Sequence, residues 1–126
     1  MKAIVIPVFS NQQPYLIEVP LNEELKTYYD TIGCRLIDVV MLYNNDHIAI
    51  DCIVDDEGVI SGGMLNRYWL RSYMNGDSNI PLFGITIITM TDLDTGATID
   101  LDLKKARDVL IHMYGFTDEE LENIHD

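Results

Sequence analysis

Two arginines, Arg67 and Arg71, are spaced four residues apart in a segment whose pattern predicts a helix, Met64 to Met74. Two like charges on one helix face repel by about 0.2–0.5 kcal/mol unless an anion compensates. Asn66 lies beside them, and the preceding Gly62-Gly63 pair could present backbone N–H groups to an anion. One interpretation is a pocket for a nucleotide-like small molecule, formed by Asn66, Arg67 and Arg71. The alternative is that both arginines pair with the chain's own surplus carboxylates.

The triplet Asp94-Thr95-Gly96 matches the Asp-Thr-Gly sequence of aspartic proteases. In that chemistry two Asp carboxylates, one from each subunit of a retroviral-type homodimer, share a proton and activate water. Only 30 residues follow Gly96, and their pattern is mostly helical, whereas such a protease requires a flap hairpin and a further glycine-containing strand there. Asp and Gly also favour the backbone angles of a tight turn. We therefore interpret residues 94–96 as a hairpin turn and expect a protein that is not an enzyme.

Histidine and cysteine residues give no sign of a metal or cofactor site. His47, His112 and His125 lack metal-ligand spacing, and Cys34 and Cys52 do not form a Cys-x-x-Cys pair. Phosphate-binding loops, dinucleotide fingerprints and nucleophile motifs are also missing from the sequence. Both cysteines lie in apolar runs, which is typical of buried, reduced thiols in a cytosolic protein. We expect no metal, no cofactor and no disulfide.

The net charge of the chain restricts the kinds of partner that it can bind. The chain has 126 residues, with 21 Asp and Glu against 8 Lys and Arg, for a formal net charge of −13. Because 48% of the residues are hydrophobic, this charge indicates a folded protein with an acidic surface rather than a disordered chain. Direct nucleic-acid binding and membrane attachment are not expected, since both require a basic surface.

The acidic residues are concentrated near the C-terminal end of the sequence. Residues 92–126 hold 10 acidic and 3 basic residues, whereas residues 1–91 hold 11 and 5. Such a patch attracts basic surfaces and steers their association. The residues predicted to form this partner-binding surface are Asp100, Asp102, Asp118, Glu119, Glu120 and Glu122.

The elements that position these residues follow from hydrophobic patterning and turn chemistry. The apolar run Met1 to Phe9 predicts a buried strand, and Asn44-Asn45-Asp46 predicts a hairpin between two further strands. In chain order the predicted elements are strands 3–9 and 15–19, a helix 23–31 capped by Asn22 and ended by Gly33, strands 34–43 and 47–54, a helix 64–74, strands 81–90 and 97–101, a helix 104–114, and a last short helix with a capping box at Thr117. This order predicts a single α+β domain over residues 1–126, a mostly antiparallel sheet with helices packed on one side.

Several short segments occur in an order that resembles a known family. After the N-terminal hairpin they are Ile32-Gly33, Ile37-Asp38-Val39-Val40, Asp56-Glu57-Gly58, Leu65-Asn66-Arg67 and Phe83-Gly84-Ile85. The chain thus resembles an uncharacterised family of small acidic proteins from bacteriophages and conjugative elements, catalogued as a domain of unknown function. The resemblance covers about residues 1–91, whereas Cys34, the Asp92–Asp102 hairpin and the final helices depart from it.

The resemblance implies a mobile-element protein in a bacterial cytosol, where small acidic proteins often inhibit host defence. Together with the net charge of −13, the resemblance favours an inhibitor that acts as a decoy. It would present a nucleic-acid-mimicking surface to a host nuclease or other nucleic-acid-binding protein. The second hypothesis is a sponge that binds a nucleotide-like signal through Asn66, Arg67 and Arg71. The third is a small enzyme whose site is assembled only in three dimensions. Assembly into a homo-oligomer is compatible with each of them.

Overall fold

The computed structural model of the protein describes residues 1–8, 12–57, 84–114 and 116–124. Within these ranges the chain forms a sheet and three helices, which confirms the predicted α+β class. The elements are β1 (Lys2–Ile6), β2 (Tyr15–Glu18), α1 (Glu24–Ile32), β3 (Ile37–Asn44), β4 (Ile48–Asp55), β5 (Thr86–Asp92), β6 (Thr98–Ile99), α2 (Leu103–Tyr114) and α3 (Asp118–Glu122). The predicted helix 64–74 lies outside the described residues.

The sheet is antiparallel, with the strand order β2-β1-β5-β4-β3, and the short strand β6 also pairs with β5. Strand β5 is central because its residues pair with β1 on one side, as in Val5 with Ile87, and with β4 on the other, as in Cys52 with Ile88. The β-branched run from Thr86 to Thr89 is buried on both faces, which suits a central strand. The predicted central strand is therefore confirmed, although it begins five residues later than expected.

Successive side chains of the central strands enter two different apolar clusters, because strand residues alternate between the faces of a sheet. The larger cluster lies under α2 and α3 and includes Ile4, Ile6, Ile50, Cys52, Val54, Ile88, Met90, Leu101, Ala106, Val109, Leu110, Phe116, Leu121 and Ile124. The smaller cluster lies under α1 and consists of Ala3, Val5, Val19, Tyr28, Ile53 and Ile87. The helices thus cover both faces of the sheet, rather than one side as the sequence analysis expected. The continuous apolar runs of β1, β4 and β5 require this, since they would otherwise expose one face to water.

Helix α1 ends where the sequence predicts. Gly33 adopts the left-handed conformation with φ 75°, and its N–H donates to the carbonyl oxygen of Tyr29 at 2.8 Å. The start of the helix was predicted wrongly, because the N-cap residue is Glu23 and not Asn22. A 3.1 Å hydrogen bond from the N–H of Glu23 to the carbonyl of Pro20 closes a turn that contains Asn22. Asn22 therefore lies before the cap position.

Helix α3 is attached to the end of α2 by apolar contacts and by its own cap. The side chains of Phe116 and Leu121 are buried in the larger cluster, and the N–H of Phe116 donates to the carbonyl of Leu110 at 3.2 Å. The predicted capping box is present. Thr117 Oγ1 accepts from the N–H of Glu120, and the Glu120 carboxylate accepts from the N–H of Thr117.

Candidate functional site

The predicted acidic surface divides into carboxylates that support local structure and carboxylates that do not. Asp100 Oδ1 accepts a 2.8 Å hydrogen bond from the backbone N–H of Lys2, which ties the end of β6 to β1. Asp102 Oδ1 accepts from the backbone N–H groups of Lys104 and Lys105 at 3.0 and 3.4 Å, so it caps α2. Both carboxylates are exposed to solvent, and neither forms an ion pair with another described residue.

On α3 the acidic residues also differ in their contacts. Asp118 forms an ion pair with Arg107 of α2, and Glu120 belongs to the capping box. The side chains of Glu119 and Glu122 are exposed and make no hydrogen bond or ion pair within the part of the chain that the structure describes. These two residues are therefore the members of the predicted surface that have no structural role in the fold.

The second predicted site is the pocket for a nucleotide-like small molecule. Asn66, Arg67 and Arg71 lie outside the described residues, so they stay a prediction from the sequence.

A cavity of about 320 Å³ lies between the β3–β4 turn and the first turn of α2, and no sequence pattern indicated it. It is lined by Tyr43, Asn45, His47, Ile48 and Lys105. Asn45 fixes the turn, because its Oδ1 accepts from the N–H groups of His47 and Ile48 at 2.7 and 2.8 Å. The sequence predicted the Asn44-Asn45-Asp46 turn but gave no sign that residue 105 lies opposite it, 60 positions along the chain.

The Asp94-Thr95-Gly96 triplet forms the predicted turn. Gly96 has φ 76°, its N–H donates to the carbonyl of Asp92 at 2.7 Å, and Asp92 Oδ1 accepts from the N–H of Asp94. The turn lies against the β3–β4 turn, since Asp94 Oδ2 is 3.5 Å from Nδ1 of His47. Asp94 therefore lies beside the imidazole of His47 at the rim of the cavity.

A network of hydroxyl and carboxyl groups lies at the edge of α1. Glu24 Oε1 accepts hydrogen bonds of 2.9 Å from the Tyr28 hydroxyl and from Thr98 Oγ1, which joins α1 to β6. Burial raises the pKa of Tyr28, and the hydrogen bond to Glu24 and the negative charges of Glu24 and Asp51 raise it further. The phenol is therefore held protonated, which suits a structural hydrogen-bond donor.

Both cysteines are free in the structure. Cys52 is fully buried in the larger cluster, and Cys34 is half-buried after α1. Burial raises the pKa of the Cys34 thiol, and the nearby carboxylates of Asp55 and Glu57 also raise it. Such a thiol is a weak nucleophile at neutral pH.

Two further properties concern only the residues that the structure describes. No group of three or more His, Cys, Asp or Glu side chains among them could hold a metal ion. No helix among them is long and apolar enough to cross a membrane.

Together the sheet, its two helical layers and the carboxylates of α3 define an acidic α+β protein. The chain belongs to a family described as "Domain of unknown function (DUF3846)", whose model matches residues 1–113. The match extends past the region of resemblance predicted from short segments, because it includes the Asp92–Asp102 hairpin and most of α2. Helix α3 lies beyond the matched residues. No curated protein and no solved structure matches the chain.

Proposed function

We propose that the protein is a non-enzymatic inhibitor that presents an acidic, nucleic-acid-mimicking surface to the basic groove of a host nuclease or other nucleic-acid-binding protein. In this proposal it acts in a bacterial cytosol as the product of a phage or mobile element. The resemblance of the sequence to proteins of that origin supports the setting, and the net charge of −13 supports the kind of partner.

The solvent face of α3 is the observation that carries this proposal. Its apolar residue Leu121 is buried, whereas the three carboxylates of Asp118, Glu119 and Glu122 face solvent. The helix has no basic residue in its last turn. A row of exposed carboxylates on a short, capped helix is a rigid set of negative charges, as the phosphates of a nucleic acid are.

The contacts of α3 also support an assignment of the residues that would bind the partner. Glu119 and Glu122 have no internal partner among the described residues, so their full charge is available. Asp118 shares its charge with Arg107, and Glu120 is engaged at the N-cap. We therefore assign the main role to Glu119 and Glu122, with Asp100 and Asp102 extending the negative field along the start of α2.

A charge reversal tests the assignment without disturbing the caps. The double variant Glu119→Lys/Glu122→Lys should lose inhibition of DNA cleavage by bacterial nucleases, assayed as loss of a fluorescent duplex in a fractionated host lysate. The matched control is Asp46→Lys/Asp56→Lys, which changes the net charge equally at exposed positions away from α3. Inhibition by the wild-type chain should also weaken between roughly 50 and 200 mM salt, as screening increases.

Two results would contradict the proposal. Equal loss of inhibition in the test and control variants would show that net charge, rather than the α3 surface, is responsible. Failure of the wild-type chain to inhibit any nuclease fraction at low salt would remove the proposed activity itself.

A further inference from the structure

We propose that the cavity between the β3–β4 turn and the first turn of α2 binds a small anion, a phosphorylated compound of mononucleotide size that carries an aromatic ring. This site is separate from the acidic surface of α3 and does not depend on the function proposed for it. Its lining combines an aromatic ring, an ammonium group, an imidazole and an amide around about 320 Å³. Pockets that bind small ligands commonly start at about 300 Å³.

The ring of Tyr43 forms one wall of the cavity because β3 contains a bulge. The register of β3 against β4 shifts between Met41 and Tyr43, so that Met41 pairs with Asp51 and Tyr43 pairs with Ile50. Without the extra residue, Tyr43 would follow Met41 on the α1 face of the sheet. The bulge turns Tyr43 to the α2 face, where it lines the cavity and remains 41% exposed. Bulges often redirect a side chain next to a binding site.

The ammonium group comes from Lys105 in the first turn of α2. Although the chain has 21 acidic residues, the Nζ of Lys105 contacts no carboxylate in the described ranges. A lysine in the first turn also opposes the helix dipole, whose positive end lies there. Neither an ion pair among the described residues nor the helix dipole accounts for the position of this ammonium group, and an anion in the cavity would give it a partner.

The two remaining polar residues are held in place by the turns. The Nδ1 of His47 lies 3.5 Å from the Asp94 carboxylate, and the Leu93 N–H donates to the His47 carbonyl at 2.9 Å, which fixes the backbone of His47. Asn45 uses Oδ1 within the turn, and its side-chain nitrogen makes no hydrogen bond among the described residues. An anion can thus meet N–H donors from Lys105 and Asn45, with the imidazole of His47 beside them.

This donor set decides the class of ligand. The ammonium group of Lys105 and the side-chain N–H groups of Asn45 favour an anion with several acceptor oxygens, which a phosphate provides. The ring of Tyr43 and the side chain of Ile48 provide a flat, apolar wall for an aromatic ring. A free phosphate would leave that wall unused, and an uncharged nucleoside would leave Lys105 unpaired.

Isothermal titration calorimetry on the full chain tests the proposal with the four 5′-mononucleotides, the matching nucleosides and inorganic phosphate. At least one mononucleotide should bind more tightly than both its nucleoside and phosphate. Lys105→Ala should weaken that binding by roughly tenfold, because a charge-assisted hydrogen bond is lost. Lys104→Ala is the matched control, since Lys104 is the adjacent lysine and does not line this cavity. Tyr43→Ala should weaken binding, whereas Tyr43→Phe, which keeps the ring, should retain it.

Each other outcome would overturn the proposal. Absence of binding by all four mononucleotides at about 1 mM would exclude the site, since the binding free energy would then be smaller than about 4 kcal/mol. Equal losses in Lys104→Ala and Lys105→Ala would place the anion elsewhere on α2. Phosphate binding as tight as mononucleotide binding would show that the ring of Tyr43 does not contribute to ligand binding. Unchanged melting temperatures confirm that the exposed variants are folded.

Discussion

Thr91 Oγ1 donates a hydrogen bond of 2.9 Å to Oδ2 of Asp51, which is the most deeply buried acidic residue of the described chain at 8% exposure. Asp51 lies on β4 and pairs with Thr89 of β5, which is also buried. No Lys or Arg forms an ion pair with Asp51 within the described ranges. The hydroxyl of Thr91 therefore provides a specific compensation for burying this carboxylate in the sheet.

Thr91→Val should destabilise the protein by about 1–3 kcal/mol, because a buried carboxylate loses its hydroxyl donor while the shape is kept. Urea unfolding at neutral pH measures the change. Thr31→Val is the control, since Thr31 makes no hydrogen bond through its side chain in the described structure, and its effect should stay within about 0.5 kcal/mol. In the Asp51→Asn background the Thr91→Val effect should shrink, and full additivity would contradict a direct interaction.

The stability of the protein should fall as the pH rises above about 10 in part because of Tyr28. Its pKa is raised in the folded state above the ordinary value of 10.0. Above that pH the unfolded chain loses the phenolic proton while the folded chain keeps it, so unfolding becomes more favourable. Tyr28 makes its full contribution to stability below pH 10, and it loses this contribution as the pH approaches the raised pKa of the folded state.

Tyr28→Phe should reduce this alkaline loss of stability, measured as the shift in urea midpoint between about pH 8 and pH 10.5. Tyr29→Phe, one residue along the same helix, is the matched control. If both variants showed the wild-type pH dependence, Tyr28 would not be the group responsible.

Cys34 and Cys52 should differ in their reaction with iodoacetamide. Cys52 is fully buried, and burial together with nearby carboxylates raises the pKa of the Cys34 thiol. In the native protein we expect one adduct at Cys34, formed slowly at pH 7 and faster as the pH rises, because the thiolate is the reactive form. Intact-mass spectrometry should show two adducts in urea. Two adducts of equal rate under native conditions would disagree with the described burial of Cys52.

The capping box of α3 should contribute measurably to stability. Thr117→Ala should cost about 1 kcal/mol, because the Glu120 N–H loses its side-chain acceptor. Glu120→Ala should also destabilise the protein, whereas Glu119→Ala, the adjacent glutamate with no side-chain partner, should change its stability little. Thermal unfolding of the three variants distinguishes them. Equal effects of the two glutamate variants would point to helix charge rather than to the cap.

Local signals in the sequence accounted for the elements whose residues interact with close neighbours. Gly33 predicted the end of α1, and Thr117 with Glu120 predicted the cap of α3, since both features depend on backbone groups within a few residues. The β3–β4 hairpin followed from its Asn-rich turn. Asn22 failed as a cap because a turn through Pro20 moved the helix start by one residue, a difference that residue types alone do not encode.

The sequence by itself determined the class of the fold and the acidic charge, because hydrophobic periodicity and net charge are properties of the chain. Only the tertiary structure decided which groups meet. It placed Lys105 beside Tyr43 through a bulge and a helix docked across the sheet, and it joined Asp51 to Thr91 across two strands. Such contacts depend on strand order and register, which many distant pairings set together and no local sequence pattern specifies.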